Sequence, residues 1–131
     1  MPRRILVVDD ESHILHVLSL KLRNSGFIVD TAVDGEDALH QIAALQPDLV
    51  ITDLQMPYLN GLDLCRRLGN EDSTADIPVI ILTARGYALG GDAAGLTNVR
   101  DVVAKPFSPR TILERVHAVL GTSGVIQERA A

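Results

Sequence analysis

Five short apolar runs, most of them rich in β-branched residues, recur along the chain at residues 5–8, 27–29, 49–52, 78–82 and 99–104. Runs of this length, apolar on both faces, read as buried strands of a parallel sheet, because helices cover each side. The segments between them carry helical spacing instead. In the first, Ile14, Leu15, Leu18 and Leu22 fall on one face, while His16, Lys21 and Arg23 lie away from it. The second spans 34–46, with Asp34 as its N-cap and Leu39, Ile42 and Ala43 facing inward. The third opens near Gly61 and carries Leu62, Leu64, Cys65 and Leu68. The last follows Ser108-Pro109, an N-cap and first-turn pair, with Ile112, Leu113, Val116, Val119 and Leu120 as its stripe. Asn24-Ser25-Gly26, Gln46-Pro47 and Gly121 supply the stops. A further slot at 87–97 holds Gly90, Gly91 and Gly95, each costing about 1 kcal/mol against Ala inside a helix. The pattern predicts a weak helix there. Five strands alternating with five helices make an α/β domain with right-handed crossovers.

Composition narrows the function classes. With 131 residues, 47% of them hydrophobic, the chain suits one domain with one sizeable, largely aliphatic core, since aromatics supply only 3%. No apolar run approaches the roughly 18–20 residues that span a bilayer, and the run after Arg4 is too short for a signal-peptide core. A cytoplasmic protein is expected, with no membrane partner. The single cysteine, Cys65, has no internal partner and reads as a packed helix residue. Twelve Lys+Arg against 17 Asp+Glu give a net charge of −5 without a basic cluster, which argues against direct nucleic-acid binding.

In folds of this kind, sites form at the carboxyl ends of the strands. The first strand runs into Asp9-Asp10, the third into Asp53, the fourth ends at Thr83 and the fifth at Lys105-Pro106. Each residue has a bland reading. Asp10 could cap the first helix, and Asp53 could be a loop acid before Met56-Pro57. Thr83 could bond its own backbone, and Lys105 could be a solvated surface lysine. Together they place three carboxylates, a hydroxyl and an ammonium on one rim. Clustered carboxylates repel, so a cation is expected among them. Oxygen donors without Cys or His select Mg²⁺, or the similarly hard Mn²⁺. Asp53 could then attack a phosphoryl group directly, with Lys105 and Thr83 stabilising its oxygens. No P-loop, no Gly-x-Ser-x-Gly elbow and no dinucleotide fingerprint is present. His13 and His16, three apart on a helix, read as a solvated face.

Residues 5–11 (ILVVDDE), 48–61 (DLVITDLQMPYLNG), 79–84 (VIILTA) and 104–107 (AKPF), in this order and spacing, resemble the receiver domain of bacterial two-component response regulators. The resemblance covers about residues 3–120. It implies a flavodoxin-like fold, strand order 2-1-3-4-5, over residues 1–121, with 122–131 as a tail or linker. It also implies that a sensor histidine kinase or phosphotransfer protein phosphorylates Asp53. Asp10 and Asp53 match direct metal ligands, Asp9 a ligand through water, and Gln55 a ligand through its backbone carbonyl. Thr83 matches the switch hydroxyl and Lys105 the family lysine, followed by a cis bond to Pro106. The domain would assist its own phosphorylation and dephosphorylation rather than turn over a free substrate. The output partner is not legible, and a phosphorylation-dependent dimer is compatible with the resemblance. Gln55 and Arg85 occupy positions that tune the phosphoaspartate lifetime. Val102 stands where members commonly carry Tyr or Phe, and Asn98-Val99 where many have Gly-Ala. A metal-dependent phosphatase with an aspartyl nucleophile is the alternative, but such enzymes need a second acid where Gln55 stands.

Overall fold

A computed structural model describes residues 2–84 and 96–121. Within them, strands β1 (Arg4–Val8), β2 (Ile28–Ala32), β3 (Leu49–Asp53), β4 (Val79–Thr83) and β5 (Val99–Ala104) form one sheet. Its order is β2-β1-β3-β4-β5 and every pairing is parallel. Helices α1 (Ser12–Asn24), α2 (Gly35–Leu45), α3 (Gly61–Gly69) and α4 (Pro109–Leu120) are described between and after the strands. This is the flavodoxin-like arrangement that the resemblance implies. The weak helical slot at 87–97 lies almost wholly outside the described residues, as do Arg85 and the tail at 122–131.

The period of two along each strand divides the core. Ile5 and Val7 of β1, Leu49 and Ile51 of β3, and Ile80 and Leu82 of β4 pack with Leu15, Leu18, Leu22, Ile112 and Val116 of α1 and α4. Leu6, Val8, Val50, Val79 and Ile81 point the other way, against Ala38 and Ile42 of α2 and Leu64, Cys65 and Leu68 of α3. Both faces of β3 and β4 are therefore buried throughout. The edge strands differ, since β2 and β5 each have exposed positions.

The helix ends follow the sequence. The Asp34 side chain accepts from the Asp37 N–H at 2.8 Å, and Ser108 Oγ from the Thr111 N–H at 3.1 Å. Gly26 and Gly121 adopt φ of 98° and 66°, the left-handed values that suit glycine after a helix. Four readings need correction. The second strand extends to Ala32 rather than stopping at Val29, because an edge strand tolerates the polar Asp30 and Thr31. The third strand runs one residue past its apolar run to take in Asp53, and the fourth begins one residue later than its run, at Val79, while ending at Thr83 as expected. Ala43 is exposed, and Ala38, one turn before Ile42, takes the inward place instead. Asp10 does not cap α1; the cap position is Glu11, with no side-chain cap bond.

Candidate functional site

The backbone brings the strand ends into one cleft. The Leu54 N–H donates to Leu82 O and the Lys105 N–H to Thr83 O, both at 2.8 Å, so the ends of β3, β4 and β5 are laced together. On the other flank, the Asp9 N–H donates to Ala32 O at 3.1 Å. A cleft of about 290 Å³ results, lined by Asp10, Glu11, Asp53, Gln55, Thr83, Ala84 and Lys105. Asp9 is fully buried beside it.

Carboxylate oxygens of Asp9, Asp10 and Asp53 lie within 4.8 Å of one another. The Lys105 ammonium is 2.9 Å from Asp53 Oδ1, 3.7 Å from Asp9 Oδ2 and 3.9 Å from Glu11 Oε1. Lys105 is thus not a solvated surface lysine. The loop beyond Asp53 is held as firmly. Asn60 and Asp63 form a reciprocal capping box at the start of α3, and the Gly61 N–H donates to Leu54 O at 2.9 Å. A Cβ on Gly61 would stand 2.7 Å from the Asp53 carbonyl oxygen, so glycine is what lets α3 begin this close to the strand end. The Lys105–Pro106 peptide bond is cis.

Electrostatics follow from the burial. Desolvation pushes the Asp9 carboxyl up to about 6, helped by the Asp53 charge and opposed by the Glu11 N–H and Lys105. Burial also raises Asp53 above the usual carboxylate range, opposed by the hydrogen bond and charge of Lys105. For Lys105, burial pulls downward, but Asp53, Asp9 and Glu11 together outweigh it and the ammonium titrates above its ordinary value. One carboxylate oxygen, Asp9 Oδ2, is buried without a hydrogen-bond partner. A deeply placed anionic oxygen of that kind is costly unless a cation satisfies it. The donor set fits a hard divalent ion: all oxygen, several negative charges, and a cleft open enough for water ligands.

Sequence reasoning placed Asp9, Asp10, Asp53, Thr83 and Lys105 on one rim, and the fold brings them there. Gln55 lies on the cleft wall, while Val102 is half-buried and packs against the core cluster of α2 and α3. Glu11 was not singled out, although it lines the cleft and stands near Lys105. Its signal was its place directly after the acidic pair. His13 and His16 are exposed. Cys65 is fully buried in α3, and burial pushes its thiol up to about 12.

Among the described residues, no helix is long and apolar enough to cross a membrane. The chain is 38% identical to the alkaline phosphatase synthesis transcriptional regulatory protein PhoP of Bacillus subtilis over 133 residues, covering 95% of this chain and 51% of that protein. It spans about half the length of the curated relatives it matches. A putative response regulator from Chloroflexus aurantiacus superposes with a TM-score of 0.82 at 36% identity, covering 92% of this chain and 99% of that one. The receiver domain of sensor histidine kinase PA1611 from Pseudomonas aeruginosa, which has a magnesium ion coordinated in its active site cleft, superposes with a TM-score of 0.81 at 24% identity, covering 93% and 100%. The response regulator receiver domain model matches residues 5–117. A match over most of the chain, on a parallel sheet of order 2-1-3-4-5, shows that the chain belongs to the response regulator receiver domains.

Proposed function

We propose that Asp53 accepts a phosphoryl group from the phosphohistidine of a sensor histidine kinase or phosphotransfer protein, in the cytoplasm and with Mg²⁺ held by the acidic cluster. The observation that carries this reading is the buried Asp53 carboxylate paired at 2.9 Å with Lys105, beside the carboxylates of Asp9 and Asp10, of which Asp9 has a buried oxygen that accepts no hydrogen bond. Asp10 and Asp53 would hold the ion directly, Asp9 through water and Gln55 through its carbonyl. Bound there, Mg²⁺ would offset the negative charge of the phosphoryl oxygens.

A carboxylate oxygen of Asp53 attacks phosphorus as the P–N bond to the donor imidazole breaks; the imidazole nitrogen keeps the electron pair and takes up a proton. An ionised carboxylate is already a nucleophile, so no general base is required. Lys105, held beside Asp53 by its ion pair, exchanges that partner for a phosphoryl oxygen. Thr83, almost fully buried at the end of β4, is placed to contact another. The new contacts bias the segment that follows β4, and so the signal leaves the site. Val102 offers no aromatic ring to relay it. A phosphatase acting on free substrates would need an acid where Gln55 stands.

The test is incubation with acetyl phosphate and Mg²⁺. Mass spectrometry is expected to find one added phosphoryl group on the peptide containing Asp53, none without a divalent ion, and none in Asp53→Asn. Equal modification of Asp53→Asn would overturn the assignment.

A further inference from the structure

Between Asp53 and α3 the chain buries Met56 and Leu59, and between these two anchors it turns Tyr58 wholly into solvent. Tyr58 adopts φ of 68°, inside the left-handed region. That region is open to glycine and is entered by Asn and Asp, whereas a bulky side chain there is an outlier. Nothing in the fold asks for an aromatic ring at this position. The turn is closed by its neighbours: the Leu59 N–H donates to Pro57 O at 2.8 Å, Leu59 is a core residue, and the Asn60–Asp63 box fixes the following helix. Glycine or asparagine would suit the backbone better and leave every one of these contacts in place.

The position is also near the chemistry. Gln55 lines the cleft, and three residues of chain reach at most about 11 Å, so the Tyr58 backbone lies within that distance of the cleft wall. A protein that delivers a phosphoryl group to Asp53 must cover the mouth of the cleft. An ordinary interface covers about 800 Å² of each partner, a patch roughly 30 Å across, and Tyr58 falls within such a footprint. A rigidly presented, fully exposed tyrosine is the residue type that dominates binding at interface centres, since its area is large and it has little side-chain freedom to lose.

We infer that Tyr58 is a docking residue for the phosphodonor protein, seated by an apolar pocket on that protein while its phosphohistidine enters the cleft. This rests on Asp53 as the acceptor, and a small donor tests that separately. The experiment compares the wild-type chain with Tyr58→Asn, which suits the left-handed backbone, and Tyr58→Phe, which keeps the ring. Each is loaded from acetyl phosphate with Mg²⁺, and from the autophosphorylated, radiolabelled histidine kinase of the source organism that loads the wild-type chain fastest. With the kinase, kcat/KM of Tyr58→Asn is expected to fall about tenfold or more through KM, with Tyr58→Phe near wild type. With acetyl phosphate, all three are expected to agree within about twofold. An unchanged kinase rate in Tyr58→Asn would overturn the inference. So would an equal loss with both donors, which would place the effect in the cleft, or a wild-type dimer that dissociates in Tyr58→Asn without change in transfer, which would make the partner a second copy.

Discussion

Lys105 and Asp53 hold each other at 2.9 Å, and each shapes what the other can do. The ammonium keeps Asp53 more anionic than burial alone would allow, yet it also occupies the neighbourhood a divalent cation would enter. Two like charges 4 Å apart repel by about 4 kcal/mol in the intermediate dielectric of a partly buried site. Lys105→Met is therefore expected to bind Mg²⁺ several-fold more tightly by calorimetry while its phosphorylation by acetyl phosphate slows at least tenfold. The opposite pair of outcomes would mean that the lysine assists the metal rather than the phosphoryl group. These partners were legible in the sequence because parallel strands deliver their ends to one rim. Glu11 was not, since its role depends on where Lys105 reaches, and that is a matter of rotamers.

The start of α3 is the element on which the site leans. Ala normally favours a helix over Gly by about 1 kcal/mol, but at Gly61 its Cβ would press on the Asp53 carbonyl oxygen at 2.7 Å. Backbone cannot yield as a side-chain tip can. Gly61→Ala is expected to destabilise the domain by about 1–3 kcal/mol in urea and to slow phosphorylation of Asp53. A variant as stable and as active as wild type would show that the helix start can slide. At the sheet's free edge, β2 carries its own protection. The Arg23 Nη2 donates to Val29 O at 2.9 Å, Gln41 Nε2 to Thr31 O at 2.7 Å, and the Val33 N–H to Asp37 Oδ2 at 3.2 Å. Side chains of α1 and α2 thus engage edge groups that another strand would otherwise pair with. The double variant Arg23→Ala, Gln41→Ala is expected to self-associate with rising concentration in sedimentation velocity, where wild type and a Lys21→Ala control do not.

For the whole molecule, the buried acids set a dependence on pH and metal. The Asp9 carboxyl titrates near 6 when folded, against 3.8 as its ordinary value. Below about pH 4 both states hold the proton and Asp9 costs nothing. As pH rises from about 4 to 6, the unfolded chain releases it first, so stability falls by an amount of order 3 kcal/mol and stays lost above pH 6. Asp53, raised by burial as well, acts in the same direction. With EDTA, the contribution of this pair is expected to lower Tm between pH 4 and pH 7. Asp9→Asn, which keeps an acceptor for the Glu11 N–H, should flatten that slope, and excess Mg²⁺ should recover wild-type stability at pH 7 but not at pH 4. A wild-type Tm indifferent to Mg²⁺ at pH 7 would remove the metal from the account.

Hydrophobic periodicity and punctuation determined the α/β class, the helix caps at Asp34 and Ser108, and the residues that meet at the strand ends, because these depend on local pattern and strand direction alone. Tertiary structure decided the rest. It set the true length of β2, since only an edge position lets Asp30 and Thr31 sit in a strand, and it turned Ala43 outward in favour of Ala38. It also made Asp9 the buried acid and Asp10 the exposed one, a distinction between adjacent identical residues that arises only when the chain bends over the sheet and one of them loses its water.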